Sequence, residues 1–218
     1  MAARGQPGKR CDILRGALAV FARDGYARAS IDAISAEAGV STRTIYNHFE
    51  DKAALFVTVV RGSTEDVAEA QTAIIARHPL TGGDLEDALA ALAAELAAPM
   101  GGEHAEHFAL VRQLDAESAH VPAEAVAAWR ESGPDRVQGL LAATFAGLMR
   151  DGRMWGGDGA GADVGAGSTP WLAATHFLLL VRGALPFQHG LGGWGREEVD
   201  EVVRAGVRAF LWGYGVRG

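Results

Sequence analysis

Apolar residues recur along this chain at intervals of three and four, and strand-like alternation with polar residues is absent. That spacing gathers apolar side chains on one face of a helix. Ile13, Leu14, Ala17, Leu18 and Phe21 predict a first helix, with Gly25 where a C-cap belongs. Ser30 is placed to N-cap a second helix, with Asp32 in its first turn and Ile31, Ile34 and Ala38 as its buried stripe. Gly39 breaks that helix, and Ser41 is the expected N-cap of a third. Asp51 suits the cap of a long fourth helix over about 52–76, with Leu55, Phe56, Val59, Val60 and Val67 inward.

The helical pattern continues to the end of the chain. HPLTGG closes the fourth helix, and a fifth is expected over about 84–98, stopping at Pro99, Gly101 and Gly102. A sixth is expected over about 103–118. Pro122 and Pro134 suit the first positions of a short helix and of a longer one reaching about Arg150. Residues 156–169, with six glycines in 14 positions, read as a flexible linker. Pro170 reopens helix through WLAATHFLLLVRGAL, which is apolar nearly all round. Such a helix is buried on two sides, in a core and against a partner, although a fully buried helix of a monomer shows the same pattern. The last helix, about 196–214, carries Val199, Val202, Val203, Val207, Phe210, Leu211 and Tyr214 on one face. The fold class is therefore all-α.

Composition adds limits. The 218 residues suit one large or two small domains, and 49% apolar with 22% charged is ordinary for a soluble globular chain. The single cysteine, Cys11, excludes an intrachain disulfide and fits a reducing cytoplasm. FLLLV ends at Arg182, far short of the roughly 18 residues of a membrane span, so no membrane role is expected. Arg4, Lys9 and Arg10 precede ILRGALAVFA in the manner of a signal peptide. Arg15 and the helical spacing instead predict an amphipathic first helix.

The net charge of −7 argues against a nucleic-acid partner until its distribution is considered. Residues 1–49 hold seven Lys/Arg and four Asp/Glu, so a mildly basic head precedes an acidic body. Within that head, GVSTRTIYNHFEDKAALF (39–56) places a three-residue turn, Gly39-Val40-Ser41, between two short helices. This is the helix-turn-helix pattern. Ile45 and Phe49 lie four apart and are expected to pin the third helix onto Ile31, Ile34 and Leu18. Thr42, Arg43, Tyr46 and Asn47 then face outward, as a recognition helix requires. Arg43 has the fork to read guanine and Asn47 the amide to read adenine. Tyr46, His48 and the threonines suit phosphates or a thymine methyl. Lys52 stands in the first turn of a helix, where a cation opposes the dipole by roughly 0.3–1 kcal/mol. A phosphate bound there would reverse that sign.

IDAISAEAGVSTRTIYNHFEDKAALF, with ILRGALAVFARDGYARAS before it, resembles the DNA-binding domain of the TetR family of transcriptional regulators over about residues 10–60. The Tyr46-x-His48-Phe49 run followed by an acidic cap and Lys52 is specific to that family. The resemblance implies an N-terminal three-helix DNA-binding domain (10–60, helix-turn-helix about 30–49). It also implies a helical ligand-binding and dimerisation domain (61–218) with the Gly-rich loop 156–169. The implied protein is a homodimer on a palindromic double-stranded operator, usually a repressor released by a small-molecule effector. By position, Ser30, Thr42, Arg43, Thr44, Tyr46, Asn47, His48 and Lys52 correspond to DNA-facing residues. Arg43 departs from the glycine or lysine often found there, which leaves the operator sequence open. HFALVRQLDAES, AWRESGPDRV and GLMRDGR are similar to one C-terminal subfamily, and the Gly-rich insert departs from it. The resemblance implies a four-helix dimer interface built from the last two long helices.

Other chemistry was weighed on the residues. His104 and His107 in EHAEH have a spacing that metals use, but a polar first helical turn explains it. Glu117 and His120 form one Glu-x-x-His, whereas a di-iron bundle needs two such motifs and two further glutamates. No Gly-rich loop follows a strand, and no serine or cysteine stands in a nucleophile's context. Neither an enzyme nor a cofactor is therefore expected. The alternative is a helical metal-dependent sensor, or a small-molecule-binding or enzymatic bundle, whose helix-turn-helix is incidental. Phe108, Trp129, Phe145, Met149 and Trp171 are the candidates for lining an effector pocket.

Overall fold

The computed structural model describes residues 6–97, 104–156, 169–182 and 196–215. The described residues form α1 (Gln6–Arg28), α2 (Ile31–Ala38), α3 (Thr42–Tyr46), α4 (Lys52–Arg77) and α5 (Leu85–Ala97). They continue with α6 (Ala105–Ala116), α7 (Ala123–Ser132), α8 (Pro134–Arg150), α9 (Thr169–Arg182) and α10 (Arg196–Tyr214). Among them there is no β-strand, only an isolated bridge between Met154 and Gly215. The fold is all-α.

Local bonds cap the helix ends at Ser30 and Asp51, as expected, and also at Asp84, which stands just before α5 and not within it. Ser30 Oγ accepts the Ala33 amide at 3.1 Å, Asp51 Oδ1 the Ala54 amide at 2.7 Å and Asp84 Oδ1 the Asp87 amide at 3.0 Å. Pro134 opens α8. Pro122 instead stands just before α7, at its N-cap, and its carbonyl accepts the Ala125 amide at 2.9 Å. Gly25 interrupts the helical path of α1 with φ 78° and ψ 173°. Residues 157–168 of the Gly-rich stretch and 183–195 lie outside the described residues.

By its internal packing the chain divides into two compact units, residues 1–68 with 100–134 and residues 69–99 with 135–218. This division by packing does not fall at residue 60, where the resemblance implies the functional one. The first unit is built on Ile13, Ala17, Val20 and Phe21 of α1, Ile34, Ile45, Phe49, and Leu55, Phe56, Val59 and Val60 of α4. Leu110 and Leu114 of α6 and Ala125 of α7 belong to the same core. Phe56 meets Phe21 edge-on and Tyr26 at a tilt, each at 4.8 Å between ring centres.

The second unit centres on Phe145 of α8, Phe177 of α9 and Phe210 of α10, whose ring centres lie 5.3–5.6 Å apart. Leu89, Leu92 and Leu96 of α5 are buried beside α10, and the Arg153 guanidinium donates to the carbonyls of Leu80, Gly82 and Gly83. α9 buries only one side within this unit. Ala173, Ala174, Phe177 and Val181 are inside, while Leu172, Leu179 and Leu180 face outward.

Candidate nucleic-acid interface

α3 is a short helix whose setting is fixed by bonds of its own neighbourhood. Gly39 ends α2 in the left-handed conformation, φ 64° and ψ 32°, and its amide reaches back to the Ala36 carbonyl. Ser41 Oγ accepts the Thr44 amide at 3.2 Å and lies 2.9 Å from Thr44 Oγ1. Ile45 and Phe49 are buried in the core with Ile34, and Leu18, Ile31 and Val40 pack against them. The back of α3 is thus apolar and enclosed, which leaves its front to water.

On that front stand Arg43, Tyr46 and Asn47, all exposed, with Tyr46 at 56%. Thr42 and His48 are half-buried. Thr44 is half-buried too, with its hydroxyl held by Ser41. Ser30 is exposed but already spends its side-chain oxygen on the α2 cap. α3 itself spans only the five residues 42–46. Asn47 is the C-cap, and its amide bonds to the Arg43 carbonyl. The amides of both His48 and Phe49 turn to the Ile45 carbonyl. Asp51 then starts α4 only a few residues later, so the chain has no length for a longer α3. The Arg10 guanidinium lies 5.6 Å over the Phe49 ring.

Lys52 has a role that its local sequence does not show. Its Nζ donates to the carbonyls of Tyr26 at 2.9 Å and Ala29 at 3.0 Å, and lies 4.4 Å over the Tyr26 ring. The cation that opposes the α4 dipole therefore satisfies carbonyls at the end of α1. Burial pushes the Tyr26 hydroxyl's pKa upward, with Asp51 adding to the shift.

The effector candidates fall in both units. Trp129 packs on the core of the first unit, where Phe108 also lies. Phe145, Met149 and Trp171 belong to the second, where Phe145 is part of the aromatic core. Local spacing did not single out the buried polar cluster of the first unit. His107 is 6% exposed, with Nδ1 3.2 Å from Ser63 Oγ, and its ring meets Phe108 edge-on at 5.3 Å. Burial, with His104 close by, lowers its pKa to about 4, so the ring is neutral near pH 7. Next to Ser63, Thr64 Oγ1 is buried and has no hydrogen-bond partner among the described residues. Among the described residues, no three His, Cys, Asp or Glu side chains gather where a metal ion would be held.

Comparison with known proteins agrees with this arrangement. Residues 13–59 match the bacterial regulatory proteins of the tetR family, and residues 87–216 match the C-terminal domain of AefR-like transcriptional repressors. An HTH-type transcriptional repressor of Mycobacterium tuberculosis is 39% identical over 83 residues, which is 38% of this chain and 42% of that protein. Another from Streptomyces coelicolor is 40% identical over 68 residues, 31% of this chain and 35% of that one. The chain thus matches less than half the length of either curated relative. Among solved structures, a TetR-family transcriptional regulator from Mesorhizobium loti is 28% identical with a TM-score of 0.78, over 98% of this chain and all of that one. A flavonoid-responsive regulator is also 28% identical, with a TM-score of 0.69 over 96% of this chain and 98% of that one.

Proposed function

The chain belongs to the tetR family of bacterial regulatory proteins, and from that premise we propose that it is a homodimeric, sequence-specific DNA-binding regulator, a repressor released by a small-molecule effector. The observation that carries the reading is the outward trio Arg43, Tyr46 and Asn47 on a helix whose back is locked by Ile45 and Phe49. A rigidly seated helix with a guanidinium, an amide and a phenol in front is what base edges and phosphates require. Thr42, Thr44, His48, Ser30 and Lys52 complete the DNA surface, the last through the donor capacity left after its two carbonyl bonds. The division of labour is residues 10–60 for DNA and 61–218 for ligand and dimer, in the cytoplasm where the operator is.

The dimer is supported by the outer side of α9 and by α10. Leu179 is 62% exposed and Trp212 80%, and Leu172 and Leu180 extend the same apolar character. A second copy covering them would give the four-helix interface. Two recognition helices could then meet half-sites of a palindrome about 34–36 Å apart, or a multiple of that.

The effector reading rests on the interior. Ser63 Oγ donates to the Val60 carbonyl at 3.3 Å, so it accepts the hydrogen bond of His107 Nδ1–H and leaves Nε2 as an acceptor. A neutral imidazole acceptor, the unpaired Thr64 hydroxyl and the rings of Phe108 and Trp129 suit an uncharged, hydroxylated aromatic molecule. The flavonoid-responsive neighbour responds to compounds of that kind. Met149 and Trp171 are the candidates from the second unit; Phe145 there is already enclosed by aromatic neighbours.

The experiment is selection of bound sequences from a random duplex pool at two salt concentrations. A palindromic motif whose affinity falls steeply with salt is the expected result. A folded dimer that enriches no sequence sinks the reading.

A further inference from the structure

Two charged side chains sit at helix ends of the wrong sign, and both converge on one short segment. Lys52 is the first residue of α4, where the helix dipole favours an anion, and Glu117 is the C-cap of α6, where it favours a cation. Both carry bonds to residues 26–29, the joint between α1 and α2. Lys52 Nζ holds the carbonyls of Tyr26 and Ala29, as described. Glu117 Oε2 accepts the Ala27 amide at 2.9 Å, across 90 residues of sequence. Its other oxygen sits where a Cβ on Gly25 would be, with Gln113 Oε1 next to it. Gly25 is required there twice, by its positive φ and by the carboxylate seated on it.

The joint leaves little slack. The Ala29 amide returns to the Gly25 carbonyl at 3.2 Å, and the Tyr26 ring is enclosed by Phe56 and Lys52. Ser30, which caps α2, follows at once, and α2 leads through Gly39 into α3. All these residues lie in the first unit. The orientation of the helix-turn-helix is thus set at a point gripped by α4's first turn on one side and by the end of α6 on the other.

We infer that Glu117 is a positioning residue for DNA recognition: its carboxylate, acting with Lys52, fixes the α1–α2 joint and so gives the end of α6 control over the placement of α3. The inference rests on the DNA-binding reading above. It makes a prediction of opposite signs. Removing an acidic charge that sits against the α1–α2 joint favours non-specific DNA binding, because that binding is electrostatic. Loosening the joint lowers binding to the operator, because base contacts require α3 in register.

The test compares wild type, Glu117→Ala and Glu117→Gln for affinity to the selected operator and to random duplex at one salt concentration. In Glu117→Ala the ratio of operator to random affinity is expected to fall about fivefold, the scale of one lost hydrogen bond, with random binding unchanged or tighter. Glu117→Gln keeps an acceptor oxygen for the Ala27 amide and should hold the ratio within about twofold of wild type. An unchanged ratio in Glu117→Ala overturns the inference. So does a loss in Glu117→Gln as large as in Glu117→Ala, which would mean that charge alone matters. Should Glu117→Ala not fold, Glu117→Asp, whose carboxylate is one methylene shorter, replaces it. Amide exchange at Ala27 is then expected to be about tenfold faster than in wild type, and equal exchange overturns the inference. A wild type without any sequence preference removes the DNA-binding reading itself. A wild-type preference that Glu117→Ala keeps removes only the role of Glu117.

Discussion

α3 and α9 both turn a face to water, and the two faces are opposite in chemistry. α3 shows Arg43 and Tyr46, with Asn47 at its end, whereas α9 shows Leu172, Leu179 and Leu180. Behind each is a fully buried row, Ile45 with Phe49 in one case, Ala173, Ala174, Phe177 and Val181 in the other. A polar face on a held helix is stable in water and binds only when something complementary arrives. An apolar face loses about 25 cal/mol for every Å² it leaves in water, so it calls for a permanent cover. On the proposed reading, the difference separates a surface for an occasional ligand, DNA, from one for a standing partner, a second copy.

The strongest way to break that comparison is Leu179→Arg. A charge in the middle of the apolar face should turn the dimer into a monomer by sedimentation. Operator affinity should then drop more than about a hundredfold, because one half-site alone is left to bind. The α3 surface is untouched by this change, so a variant that stays dimeric and binds normally would mean that α9 is covered by something else.

Lowering the pH tests the interior of the unit that carries α3. His107 has a folded pKa near 4 and an ordinary unfolded value near 6.5. Its neutral form is the one the fold holds, so the unfolded chain takes up the proton first as pH falls. The stability tied to this group is complete above about pH 6.5 and is lost progressively down to about pH 4, by roughly 2–3 kcal/mol in total. Chemical denaturation at pH 7 and pH 5 should show the loss, and His107→Gln should flatten it. An equal slope in the variant would assign the loss to other groups.

Arg43→Ala sharpens the α3 side. It should cost roughly 1–3 kcal/mol at the cognate base pair and relax preference there, with no change in melting temperature. Preference that survives intact would take base readout away from Arg43. The smallest effect is expected of Lys52→Met, which should weaken all duplexes alike and flatten the salt dependence. Unlike Arg43→Ala it should also lower stability, by about 1 kcal/mol, since it leaves the Tyr26 and Ala29 carbonyls without their donor. A Lys52→Met protein with unchanged melting would show that water replaces the ammonium at those carbonyls.

How much of this was legible in the chain depends on the reach of each interaction. Ser30, Ser41 and Asp51 could be picked out as caps because each bond closes over three residues, and Gly39 because its turn is local. Ile34, Ile45 and Phe49 could be placed on one core by helical spacing alone. The length of α3 could not, since the pattern Thr42 to Phe49 continues smoothly. Only the return of two amides to the Ile45 carbonyl shows where the helix stops. Lys52 was visible as a misplaced charge, but its partners lie 23 and 26 residues away. Glu117 stands in a lone Glu-x-x-His, which gives no sign of the Ala27 amide that its carboxylate accepts across 90 residues.

The amino-acid sequence by itself determined the helical class, most helix ends, the helix-turn-helix and the outward place of Arg43, Tyr46 and Asn47. These follow from periodicity and capping, which act within a turn or two of chain. Tertiary structure decided that Leu110, Leu114 and Ala125 share a core with the helix-turn-helix. It also decided that Lys52 and Glu117 grip one joint, and that α9 keeps its leucines outside. An apolar stripe specifies that a face is buried without specifying which other face it meets, and a charge specifies a need for a partner without saying how far along the chain that partner lies.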